Sequence, residues 1–141
     1  MSYVATRVRI KIKTGKNEIE TSGLVNTGFE TTTPDIVLPL EAAKALGLWP
    51  PRRAKLATVE TGGGEVELFY IEESIELSLI DRPNKKLSVN VIVDPHIREV
   101  ILSDYVCGVL GMVLLDLKRG YWRLVDDPED IVRETVEPKT W

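Results

Sequence analysis

The sequence predicts a mainly β fold, a closed or half-closed β-barrel carrying one or two short helices. Three observations predict it. Apolar and polar residues alternate at period two in several short runs, glycine, proline and asparagine clusters separate those runs, and residues 39–46 read as a helix with its own start and stop. A chain of 141 residues fits one compact domain with a real core, and 43% apolar with 28% charged residues is ordinary globular composition.

The chain opens on Arg7-Val8-Arg9-Ile10-Lys11-Ile12-Lys13, with Val8, Ile10 and Ile12 on one face. Thr14-Gly15-Lys16-Asn17 is a turn signal, and residues 18–25 return as the second strand of a hairpin. Its basic face reads as a solvated strand face, with Glu18 and Glu20 placed to pair with the cations. A polar connection, residues 30–35, leads to Ile36-Val37-Leu38. In the helix that follows, Pro39 suits the first turn, Glu41 to Leu46 are good helix formers, and Gly47 supplies the stop.

Residues 55–60 and 65–71 read as strands joined by Thr61-Gly62-Gly63-Gly64, a hairpin with a glycine tip. Ile75, Leu77 and Leu79 alternate in a separate strand, Asp81-Arg82-Pro83-Asn84 turns the chain, and Leu87, Val89, Val91 and Val93 alternate in the next. Residues 106–117 form an apolar run interrupted by Gly108 and Gly111, and residues 121–125 read as a final core strand. The barrel domain therefore spans residues 1–126, and residues 127–141 form a tail. There Asp127 is placed to cap a short helix with Pro128 in its first turn and Ile131, Val132 and Val136 on its apolar face.

Several function classes find no support. A net charge of −4 lacks the basic excess that nucleic acid or an anionic membrane would require. No apolar run approaches the roughly 18 residues of a membrane span, and the first strand alternates instead of forming an apolar signal segment. The single Cys107 cannot form an internal disulfide, which fits a cytoplasmic location. The absence of Gln, with only one Cys, is the depletion of labile residues expected of a thermophilic source.

Chemistry concentrates in Leu24-Val25-Asn26-Thr27-Gly28. Alone, an Asn and a Gly at this spacing also favour a simple turn. The rival sites are weaker. Thr61-Gly62-Gly63-Gly64 is followed by no Lys-Ser/Thr and lies between strands, unlike a phosphate loop. His96 is the only histidine and reads as a surface loop residue; Cys107 reads as a buried structural thiol. Glu72-Glu73 with Glu76, and Asp126-Asp127 with Asp130, lack calcium-loop spacing and read as a solvated face or a helix start. No metal or cofactor is expected.

An apolar pair followed by Asp-Thr-Gly is the catalytic loop of aspartic peptidases, and a weaker echo follows at Val109-Leu110-Gly111 with Leu114-Leu115 and Gly120. Residues 24–48, the glycine hairpin and residues 107–125 together resemble the retroviral-type, retropepsin-like aspartic peptidases. That family runs through a strand pair, the Asp-Thr/Ser-Gly loop, a flap hairpin, further strands, then an apolar-apolar-Gly segment leading into a helix and a last strand. The resemblance implies a homodimer in which Asn26 of each chain faces the other across a peptide cleft. It implies that Thr27 braces the loop against its twin, Gly28 allows the sharp turn, and Phe29 and Glu30 line the substrate side. It also makes Gly62, Gly63 and Gly64 the tip of a flap over the peptide.

Two departures from the family pattern reshape that cleft: Phe29 replaces a small residue, and Thr31-Thr32-Thr33-Pro34 lengthens the connection. The third removes the chemistry. In the aspartic mechanism two facing carboxylates share a proton; one activates water while the other polarises the scissile carbonyl. A carboxamide at Asn26 holds water but cannot act as its base. Three classes of function follow: a peptide-binding module, a native endopeptidase represented by an inactivating Asp-to-Asn variant, or a structural domain with no used cleft.

Overall fold

A computed structural model describes residues 5–61 and 64–141. The predicted hairpin is present. Strands β1 (Arg7–Lys13) and β2 (Glu18–Val25) pair antiparallel from Arg7↔Leu24 to Lys13↔Glu18, and the alternation buries Val8, Ile10 and Ile12. Next come β3 (Asp35–Leu38) and helix α1 (Leu40–Ala45), which begins just after Pro39 and buries Ala42 and Ala43. The hairpin of β4 (Ala54–Thr61) and β5 (Gly64–Leu79) precedes β6 (Lys86–Val93) and a short β7 (Val100–Leu102). Helix α2 (Asp104–Leu110), β8 (Met112–Asp116), β9 (Tyr121–Leu124) and β10 (Arg133–Glu134) complete the chain.

Six strands close a barrel in the order β1-β2-β7-β3-β6-β5, with β5 returning to β1 through Ile10↔Leu79 and Ile12↔Leu77. Closure leaves these strands without an open edge. Ile10, Ile12, Ile36, Leu38, Leu77, Val91 and Leu102 fill the interior. Gly23 leaves room there, because a Cβ would stand 2.9 Å from Leu102 Cδ1 and 3.0 Å from Ile10 Cδ1 and those side chains would have to repack. A second sheet, β10-β9-β8, adds Trp122 and Leu124 to the same core. Among the described residues, no helix is long and apolar enough to cross a membrane.

Four sequence expectations are revised. Residues 65–71 and 75–79 form one strand, not two; the register shift between Ile71 and Ile75 bends β5 so that it serves β4, β6 and β1 in turn. Residues 106–117 divide between α2 and β8 at Gly111, whose φ of 78° closes the helix. Val109-Leu110-Gly111 therefore ends a helix, and does not lead into one. The tail forms no helix. Asp127 is taken up by Leu124 N (2.8 Å) and by Arg133 Nε and Nη2 (2.8 and 2.9 Å), which turns the chain back to lay β10 against β9.

Candidate functional site

Strand β7 was not foreseen, and it builds the site. It lies between β2, which it pairs parallel (Gly23↔Val100 to Val25↔Leu102), and β3, which it pairs antiparallel (Ile36↔Leu102, Val37↔Ile101). The connection from Asn26 to Pro34 must therefore pass over the end of β7. Asn26 N donates to Leu102 O (3.3 Å), Asp104 N to Phe29 O (3.0 Å), and Thr31 N to Asp104 Oδ1 (3.0 Å). Ser103 N donates to Asp35 O (3.2 Å), while the Ser103 hydroxyl caps α2 by accepting from Val106 N (3.3 Å). The loop, the two strands and the helix start are thus tied at one point.

Within the loop, Asn26 Oδ1 accepts from Gly28 N (3.0 Å) and Asn26 O accepts from Phe29 N (3.1 Å). This is a tight side-chain-closed turn, and a carboxylate would accept the same bond. Asn26, Thr27, Gly28 and Glu30 are exposed and Phe29 is half-buried. Among the described residues, Asn26 Nδ2 has no protein acceptor, so the amide presents a free donor to whatever occupies the surface. Gly64, with φ of 115°, starts β5 opposite Thr61; Gly62 and Gly63 lie outside the described residues.

Successive side chains of a strand point to opposite faces. Leu24 and Asn26 therefore share the outward face of the barrel, and the strand registers continue that face from Leu24 to Ile101, Val37, Ile92 and Tyr70. These five partly or fully buried side chains form one cross-strand row, with the ion pair Arg7–Glu99 (2.8 Å) at one end and Lys55–Glu72 (2.9 Å) at the other. Burial, followed by the charges of Asp35 and Glu72, raises the Tyr70 hydroxyl above its ordinary pKa. Tyr70 therefore stays neutral on this face.

Beside the row, a cavity of about 550 Å³ is lined by Glu30, Thr31, Thr32, Thr33, Asp35 and Asp104. Asp35 is 8% exposed and is held by the Thr33 hydroxyl (2.9 Å to each oxygen) and Asn90 Nδ2 (3.0 Å). Thr31, Thr32 and Thr33 of the long connection thus form one wall of this cavity.

The rival sites resolve into structural roles. Glu72 pairs with Lys55, Asp126 with Arg82 and Lys85, and Asp127 with Arg133. Exposed His96 donates its backbone N–H to Asp94 Oδ1 (2.8 Å) in a loop. Burial pushes the Cys107 thiol up to about 12. Among the described residues, no three His, Cys, Asp or Glu side chains converge on a metal position. Sequence reasoning missed Ile101, Asp35 and Asp104. The signal was present in Val100-Ile101-Leu102 followed by Ser103-Asp104, a short apolar strand running into a helix cap. Neither a family model nor a curated protein matches the chain.

Proposed function

We propose that this protein is a homodimeric, retropepsin-like peptide-binding module that does not hydrolyse peptide bonds, because Asn26 stands where the family it resembles has its catalytic Asp. One observation carries the reading: the Asn26-Thr27-Gly28 loop crosses the end of β7 with its carboxamide on the same face as the apolar row from Leu24 to Tyr70. The start of the chain supports it, with a strand pair leading into the loop and, after β3 and α1, a glycine-tipped hairpin of β4 and β5. An extended peptide laid on that row buries alternate apolar side chains and leaves its backbone amides for the loop and hairpin.

A peptide-array screen followed by titration of a hit against Ile92→Lys tests this. The expected result is binding that Ile92→Lys abolishes without loss of fold. A library that yields no ligand, or a variant that binds as well as its parent, removes the cleft. In a second reading, Asn26 replaces a native Asp in an active endopeptidase. The bond from Gly28 N to Asn26 Oδ1 is compatible with it, since an Asp would accept the same bond. The codon at position 26 in the source gene decides between the two.

A further inference from the structure

Two enclosed carboxylates of this chain meet opposite surroundings. Asp127, its side chain 4% exposed, takes the guanidinium groups of Arg133 and Arg82. Asp35, 8% exposed, forms no ion pair among the described residues; its side-chain partners are two neutral groups, the Thr33 hydroxyl and Asn90 Nδ2. The Thr33 hydroxyl stands 2.9 Å from both Asp35 oxygens but has one proton to give. A carboxylate accepts about four hydrogen bonds, so roughly half of the capacity of Asp35 is unfilled. Burial makes such unfilled capacity costly unless a cation meets it.

Asp35 lines the cavity of about 550 Å³ beside the apolar row, and the other walls repeat its chemistry. Thr31 gives its hydroxyl proton to Thr33 O (2.6 Å) and Thr33 gives its own to Asp35, so both hydroxyls are left with lone pairs. Asp104 Oδ1 is taken by Thr31 N and Tyr105 N, which leaves Oδ2, and the exposed Glu30 carboxylate has no partner among the described residues. Among the described residues, no Lys, Arg or His lines the cavity. Nor do its three carboxylates converge as metal ligands would. The group that fits carries several donors and no acceptor at the end of a chain, which describes a lysine ammonium or an arginine guanidinium.

We propose that this cavity receives a lysine or arginine side chain of the bound peptide, with Asp35 at its inner end. The proposal rests on the peptide-binding reading above and names the charge of the ligand. Asp35 precedes Val37 by two residues on β3, and its pair Asn90 precedes Ile92 by two on β6. Both therefore stand on the outward face, one strand repeat of about 7 Å from the apolar row. A long basic side chain spans that step from a backbone laid on the row, its stem against apolar surface and its head among the acceptors.

Titration of acetylated, amidated peptides of alternating valine and serine, with one central serine replaced by arginine, lysine, norleucine or glutamate, tests the proposal. Each is measured on the full chain, on Asp35→Asn, and on Glu30→Gln combined with Asp104→Asn. The readout is the ratio of the norleucine to the arginine dissociation constant, which a general loss of fold does not produce. The full chain should bind the arginine and lysine peptides about tenfold or more tighter than the norleucine peptide, and the glutamate peptide least. Both variants should bring that ratio within about threefold while still binding the norleucine peptide. Glu30 and Asp104 are exposed, so their double variant reads the cavity even where Asp35→Asn fails to fold. Equal binding of arginine and norleucine peptides overturns the cavity while the peptide-binding reading stands. An arginine preference that survives the variants puts the cation elsewhere and overturns it as well. Free N-acetylarginine amide binding as tightly as the arginine peptide makes this a site for a small cation, against the proposal. No binding by these peptides or by any member of the array overturns both readings.

Discussion

Asp104 holds the candidate site together, and replacing it has a calculable cost. Its Oδ1 accepts from Thr31 N (3.0 Å) in the loop and from Tyr105 N (2.8 Å) in the first turn of α2. Asp104→Ala loses the bond that pins the crossing loop, and a carboxylate–amide bond at an exposed position contributes about 1 kcal/mol net. It also removes a negative charge from the first turn of a helix, about 0.3–1 kcal/mol at surface exposure. The sum is about 1–2 kcal/mol, which for a chain of this size lowers Tm by about 3–8 °C. Asp104→Asn keeps an acceptor and loses only the charge, so it should recover roughly half of the loss. Calorimetry reads the stability, and amide exchange at Thr31 reads the loop, where faster exchange is expected in the Ala variant. If Asp104→Ala melts within a degree of its parent and Thr31 exchanges unchanged, the loop is not held as described.

Asp127 is fully enclosed at its side chain by Arg133, Arg82 and Leu124 N, so Asp127→Ala strands a half-buried Arg133 over the Trp122 ring. The expected loss is about 3 kcal/mol by denaturant titration. Those same partners, the Arg133 hydrogen bonds first, hold its carboxyl well below the usual range. Its stabilisation is complete above the unfolded carboxylate pKa, about 4, and is lost as pH falls below that value; an acid melt of Asp127→Asn should show a correspondingly shallower slope. Cys107, with its thiol pushed up to about 12, should resist a thiol reagent at pH 8 until the chain unfolds. Gly64→Ala places a side chain at φ of 115°, so it should destabilise the hairpin by about 1–3 kcal/mol, visible as faster exchange in β4 and the first half of β5.

The barrel was legible where period two was clean. The alternations ending at Lys13 and at Val93 give β1 and β6, and Gly47 marks the end of α1 where the chain indeed leaves the helix. The rest depended on partners that sequence spacing does not reveal. β5 looks like two strands because its bulge between Ile71 and Ile75 breaks the alternation, although the backbone continues through it. The apolar run beginning at Val106 has no polar face to fix its period, so helix and strand are indistinguishable until Gly111 separates them. Pro128 and the acids around it read as a helix start, but Arg133 competes for Asp127 and wins through two bonds to one buried carboxylate. At the site, Asn26 could be found from its motif. Asp35 and Asp104 could not, because only the threading of β7 between β2 and β3 brings positions so distant in sequence to one cavity.

The central claim is that Asn26 stands where the missing chemistry would sit, and Asn26→Asp tests it most directly through peptidase activity measured against pH on a broad peptide library. In the proposed homodimer, restoring the acid in both chains would bring two carboxylates face to face, and their repulsion would force them to share a proton. The expected result is bell-shaped activity at acidic pH, blocked by a hydroxyl-containing transition-state mimic, with none from the Asn26 protein. Activity from the purified Asn26 protein itself would contradict it, as would an Asn26→Asp protein that dimerises and binds peptide yet cleaves nothing.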